Sequence, residues 1–384
     1  MLRKAEKGIF NMKNIFDFDY DNSIVSLSNS ILKYYNVQTK HPSLNVLDKI
    51  LEKKYQNVIF MILDGMGVKI LEKNLPQSSF LRLHIVSEIY SVFPSTTAAA
   101  TTSFHSGLTP FESGWIGWMC YYPQLNKIIE NFNNVSFYTR DALTTPAPAE
   151  TLIKYKTIYD QILEQNPDVE YEKIFPAFEK NGCETFDQMC ERIRQAVNKN
   201  KHQKIISAYW TEPDSTTHQC GTTSGNVKEV LEHLDDCLQK LSSELKDAVL
   251  IISADHGLLD VDEICLNDYP LLCNMLRMPP CLEARFVTFY VKDKYKTEFK
   301  KVFDELFGND FKLYTKEEFL KTGLLGKGVQ HPCIETSIGD FVSISTSNKS
   351  LRYFSCEEMK KSLKADHAGL SEDEMIVPLI VKTF

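Results

Sequence analysis

The apolar residues of this chain fall into short runs, two of which end directly in an aspartate. Val58 to Leu63 is unbroken and apolar, and Asp64-Gly65 follows at once. A run of that length, too short for a buried helix and bounded by a turn signal, predicts a fully buried strand of a parallel sheet. Three more strands follow: Ile85–Phe93, Lys204–Trp210 and Ala248–Ala254, the last ending in Asp255-His256-Gly257. Met375–Lys382 predicts a final strand, and Pro378 within it calls for an edge position or a bulge. Helical spacing marks residues 15–50 as one or two helices with a break at Lys40–Ser43, and Val227–Leu245 as an amphipathic helix. Residues 151–200 read as helical, and 108–150 as an aromatic, loop-rich stretch.

Strands alternating with helices predict an α/β fold: a doubly wound, mostly parallel central sheet with helices on both faces. Residues 285–345 break that rhythm with a strand, two helices and another strand, which predicts a small α+β cap inserted into the core. The expected organisation is a core of 15–284 and 346–384, a cap of 285–345, and an N-terminal extension of 1–14.

Composition narrows the function classes. The chain has 384 residues and 43% hydrophobic residues, enough for a large core, and a formal net charge of −8. So acidic a surface is poorly suited to gripping a nucleic-acid polymer, so any phosphate chemistry needs local cations. The ten cysteines show no CxxC pair, which suits reduced, mostly buried thiols. The N-terminal stretch has no apolar run of signal-peptide length, and no segment is long enough to span a membrane. The expectation is a cytoplasmic protein without a membrane partner.

Candidate chemistry sits at the ends of the predicted strands. Asp64 ends the first strand, Asp255-His256 the fourth, and His367 precedes the last. Asp214 and His218, four apart after Trp210, share one face of a helical turn. Asp255 and His256 can meet one ion only if the chain bends, and Gly257 allows that. Carboxylates at the carboxyl ends of strands lie where open α/β sheets bind ligands. Mixed N/O ligands of this kind suit two divalent ions, zinc foremost and manganese as the alternative. Between the first and second groups lies FPSTTAAATTSFHSG, residues 93–107. Thr96 and Thr97 open its predicted helix, where unpaired N–H groups and the helix dipole favour an anionic oxygen.

Taken in order, these residues resemble the alkaline phosphatase superfamily, and within it the type I phosphodiesterase/nucleotide pyrophosphatase branch. YWTEPDSTTHQCG matches that branch's acid–Pro–Asp–xxx–His–xx–Gly signature, and the resemblance spans residues 57–382. It implies an alkaline phosphatase-like core and a two-metal hydrolase of phosphodiester or pyrophosphate bonds, acting on a small phosphate ester. By this likeness Asp64, Asp255, His256 and the nucleophile oxygen hold one metal, and Asp214, His218 and His367 the other. The family nucleophile lies ten residues before the glycine that closes its helix. Counting back from Gly107 selects Thr97, and Leu108, Pro110 and Gly114 fit the downstream Gly-Leu-x-Pro-x-x-x-Gly frame.

Two positions depart from the branch. Trp118 stands where an Asn that helps bind phosphate is usual, and Ala98-Ala99 stand in place of Phe-Pro. Phosphomonoesterase or phosphonate hydrolase chemistry is therefore the alternative, with a non-catalytic metal-binding module behind it. Trp115 and Trp118 are the candidate substrate-binding side chains.

Overall fold

The structure, a computed structural model, describes residues 18–143, 146–355 and 362–384. The expected N-terminal extension, 1–14, lies outside the described residues. The central sheet has six strands: β1 (Asn57–Leu63), β2 (Ile85–Tyr90), β3 (Glu170–Ile174), β4 (Lys204–Trp210), β5 (Ala248–Ser253) and β6 (Ile376–Thr383). Their spatial order is β2-β6-β5-β1-β4-β3. β5, β1, β4 and β3 pair in parallel, and β6 runs antiparallel to both its neighbours. The mostly parallel sheet expected from the apolar runs is therefore present.

β1 sits in the middle because every residue from Val58 to Leu63 is apolar and buried. Each such side chain contributes roughly 1.5–3 kcal/mol on burial. Helices cover both faces. Ile24–Tyr34, Thr97–Ser106 and Ile158–Gln165 pack together, and Val68–Asn74, Phe186–Asn198 and Gly225–Glu244 form the other group. Pro378 lies where β6 pairs with β2 alone, next to a register shift at Leu379/Ile380, so its missing donor interrupts no central ladder.

Two local expectations change. Residues 151–200 contain β3 between two helices; its sequence, EYEKI, carries the charges of an exposed edge strand and so lacks an apolar run. The stretch 108–150 holds strands Met119–Tyr122, Lys127–Glu130 and Val135–Ser136. These join Cys281–Leu282, Phe286–Phe289, Phe341–Ser345 and Phe311–Thr315 in a second, antiparallel seven-stranded sheet. The 285–345 segment is therefore part of a larger lobe rather than the whole of an insertion. The lobe packs on the core through Phe93, Ala98, Phe286, Leu370 and Met375. A buried Arg285–Glu374 ion pair, 2.7 Å, also joins the two.

Among the described residues no helix is long and apolar enough to cross a membrane. The nine described cysteines are all free thiols.

Candidate metal and nucleophile site

The carboxyl ends of β1, β4 and β5 converge. Asp64 follows β1 directly; its N–H donates to the Trp210 carbonyl (2.9 Å), and its own carbonyl accepts from the Asp214 N–H (3.0 Å). Those bonds set the start of helix Asp214–Cys220 beside β1. Gly65 makes this approach possible. It has φ +70°, and a Cβ there would lie 2.8 Å from the Asp214 Cβ. The Gly65 N–H donates to Asp255 Oδ1 (3.0 Å), as does the His256 N–H (3.0 Å). That leaves Asp255 Oδ2 free, 3.6 Å from His256 Nε2. The bend beyond β5 thus brings Asp255 and His256 to one point.

All three histidines are oriented alike. His256 Nδ1 faces the Gly257 carbonyl (3.1 Å), His218 Nδ1 the Ala365 carbonyl (2.8 Å) and His367 Nδ1 the Ser95 carbonyl (3.1 Å). A carbonyl can only accept, so each Nδ1 carries a proton and Nε2 is the ring atom turned into the site. This is how imidazoles are held when Nε2 binds a metal. His256 Nε2 lies 3.5 Å from Asp64 Oδ1, and Asp214 Oδ1 lies 3.3 Å from His218 Nε2 and 4.0 Å from His367 Nε2.

Three carboxylate oxygens at this point, Asp64 Oδ1, Asp214 Oδ1 and Asp255 Oδ2, are buried without a hydrogen-bond partner. Leaving such atoms unpaired is costly, and a bound cation would satisfy all three. Asp64, Asp255 and His256 form one group of potential ligands, and Asp214 falls with His256 and His367 in a second. The donor set therefore fits divalent metal ions. The electrostatics agree. Burial and the charges of Asp255 and Asp214 hold the Asp64 carboxyl well above its usual range. Burial also pushes Asp255 upward. Burial opposes charge on His218, but Asp214 outweighs it and lifts the imidazole to about 9, while Asp214 itself is drawn down. Burial and the neighbouring His256 and His218 push His367 well below the usual range.

Thr97 is the first residue of helix Thr97–Ser106, which Gly107 closes in the left-handed conformation, φ 70°. Its Oγ1 lies 3.1 Å from His256 Nε2, at the edge of the first ligand group. Thr96 is the N-cap residue, but its hydroxyl turns away and donates to Glu283 Oε1 (2.7 Å). The two adjacent hydroxyls therefore have different surroundings.

The candidate substrate-binding tryptophans separate. Trp115 is 3% exposed and packs against Phe132 and Tyr155, with its indole N–H donating to the Ile153 carbonyl (2.8 Å). It is a core residue of the second lobe and not a pocket wall. Trp118 is half-buried; its indole N–H donates to Glu130 Oε1 (2.6 Å) and its backbone N–H to Glu283 Oε1 (2.6 Å).

Three residues beside the site escaped the sequence reading. Asp366 is buried, and with His218 and His367 it forms a third ligand group. Its Oδ1 accepts from the His367 N–H (2.9 Å), repeating the Asp255-His256 arrangement. The repeated Asp-His dipeptide was the available signal. Tyr209, whose hydroxyl donates to Asp64 Oδ2, lies inside an apolar strand and gave none. Glu283, in the turn after the second-sheet strand Cys281–Leu282, is pushed up to about 7 by desolvation.

The sequence matches the type I phosphodiesterase/nucleotide pyrophosphatase family model over residues 58–367. The chain belongs to that family. Human ectonucleotide pyrophosphatase/phosphodiesterase family member 1 is 29% identical over 182 residues, and the mouse protein 27% over the same length. Each match covers 44% of this chain and 19% of the relative, so the chain spans less than a fifth of the curated relatives it matches. Two solved structures share the fold. Murine ectonucleotide pyrophosphatase/phosphodiesterase 5, as an inactive variant in complex with AMP, superposes with a TM-score of 0.62 at 17% identity, covering 84% of this chain and 87% of that one. Its human counterpart gives 0.61 at 16%. The resemblance to an alkaline phosphatase-like core is thus matched in fold.

Proposed function

We propose that this protein hydrolyses phosphodiester or pyrophosphate bonds of small phosphate esters through a phospho-threonine intermediate on Thr97. The observation that carries the reading is the position of the Thr97 hydroxyl, beside a histidine Nε2 and carboxylate oxygens that lack a hydrogen-bond partner. Asp64, Asp255, His256 and Thr97 would hold one divalent ion, and Asp214, His218 and His367 a second, zinc foremost and manganese as the alternative. When bound, such ions supply a lowered hydroxyl pKa and charge neutralisation at phosphate.

The chain's own groups do the rest. Thr97 Oγ1 attacks phosphorus, the bond to the leaving oxygen breaks, and water then cleaves the phospho-threonine ester. The helix begins at Thr97 with no side-chain cap bond, so its first-turn N–H groups are the donors the chain would offer the developing charge. Tyr209 and the two N–H donors to Asp255 keep those carboxylates oriented.

The test is turnover of an aryl phosphodiester, with an aryl phosphomonoester and a phosphonate assayed alongside. The reading expects diester hydrolysis, lost on chelation and restored by a divalent ion. Faster turnover of the monoester or phosphonate would move the assignment to the alternative chemistry. Stoichiometric metal with no turnover on any of them would refute catalysis.

A further inference from the structure

Glu283 reaches Thr96, the residue before the candidate nucleophile, from beside the other sheet, by an unusual route. The residue before it, Leu282, has φ +84°, a conformation that L side chains rarely adopt. Such strain persists where the surroundings enforce it. Here the enforcing contact is Gly117, where a Cβ would lie 3.0 Å from the Leu282 Cα. The strand Cys281–Leu282 therefore lies against the Gly117 backbone, with Leu282 paired to Met119. That placement lets one oxygen of Glu283, Oε1, accept both the Thr96 hydroxyl (2.7 Å) and the Trp118 N–H (2.6 Å).

The second oxygen, Oε2, accepts no hydrogen bond from the described residues, and the side chain is half-buried. Glu283 also lines a cavity of about 50 Å³ with Phe137, Tyr138, Arg352, Tyr353 and Phe354. On that measure one water needs about 10–15 Å³, so the space holds a small group of a few heavy atoms. Aromatic walls with one acid and one arginine suit a hydroxylated alkyl group, whose C–H surface packs on rings while its O–H groups find partners. Arg352 also donates to Glu263 Oε2 (3.1 Å).

We propose that Glu283 determines specificity for the leaving group: Oε1 anchors the Thr96–Trp118 framework, and Oε2 accepts a hydrogen bond from a hydroxyl of a polyol- or sugar-type alcohol esterified to the phosphate. This rests on the hydrolase reading above. A hydroxyl bonded to a carboxylate contributes roughly 10–100-fold in affinity or rate.

Glu283→Gln separates the two oxygens. The amide oxygen can still accept from Thr96 and Trp118, but the other position becomes an N–H₂ donor. Glu283→Ala removes both functions. The substrates are an aryl phosphodiester, a glycerol phosphodiester, and the same diester with its free hydroxyls O-methylated. The wild type should prefer the hydroxylated over the methylated diester by at least about tenfold. Glu283→Gln should collapse that preference to within about threefold, read as the ratio of kcat/KM for the two glycerol diesters on the same enzyme. Glu283→Ala should lower turnover of all three.

No preference in the wild type, or identical behaviour of the Gln and Ala variants on all three substrates, would overturn this proposal alone. Failure of the wild type to turn over the aryl diester would sink the hydrolase reading and this proposal with it.

Discussion

The two sheets meet at one site but bring different things to it. The central sheet contributes Asp64, Asp214, Asp255 and His256 from the ends and exits of buried strands, and one oxygen of each carboxylate has no hydrogen-bond partner. Beside the strands of the second sheet lie Glu283 and Trp118, which already have partners, and Glu283 lines a cavity. On the proposed chemistry, the first set makes the reaction possible and the second decides which substrate receives it. Changes on the central sheet should therefore damage every substrate alike, and changes on the second should alter ratios between substrates.

The largest expected effect is at a ligand. Asp64→Asn should cost on the order of 10³-fold or more in kcat/KM on every phosphodiester tested. Equilibrium dialysis should show weakened binding of one metal equivalent, whereas Glu283→Gln keeps the full complement. Selective loss on one substrate would break the division between the sheets.

A smaller effect concerns how the sheets are joined. Glu374 accepts from Arg285 (2.7 Å), the Gly369 N–H (2.6 Å) and the Ser371 hydroxyl (2.7 Å), tying the second sheet to the loop that follows His367. Glu374→Gln leaves the arginine buried without its counter-charge and should cost roughly 3–5 kcal/mol in denaturant unfolding. Burial opposes ionisation of Glu374, but Arg285 holds its carboxyl below the usual glutamate range. A carboxyl depressed in the folded state adds stability that is complete above the ordinary glutamate pKa and fades as pH falls through the folded one. The gap between wild type and variant should therefore be flat near neutrality and shrink as the solution is acidified below the glutamate range. A gap that widens on acidification would contradict this origin.

Smallest is Trp115→Phe. It forfeits the bond to the Ile153 carbonyl and should cost about 1 kcal/mol of stability, with KM unchanged for all substrates. A selective rise in KM would return Trp115 to the pocket.

The same contrast explains what the sequence revealed. β1, β4 and β5 announce themselves because strands buried on both faces are continuous apolar runs, and each run ends at or near a residue of the candidate site. The resemblance to the phosphodiesterase family then rested on those same ends. The second sheet was illegible for a physical reason. Its strands are two to five residues long and come from stretches about 145 positions apart, 119–136 and 281–345. Met119–Tyr122 alternates between half-buried and buried positions, and four residues are too few to establish a period of two. Glu283 could not be found either, because its place depends on the left-handed Leu282 and on contact with Gly117, neither of which leaves a motif. The core position of Trp115 leaves no mark in the sequence, because an aromatic residue beside a motif looks the same whether it faces a substrate or a core.

The most direct test of the central claim is the activity of Thr97→Ala on an aryl phosphodiester, with metal content measured on the same sample. The proposed nucleophile predicts a loss in kcat/KM on the order of 10³-fold or more, with both metal equivalents still bound. Turnover within about tenfold of wild type, at full metal occupancy, would contradict it.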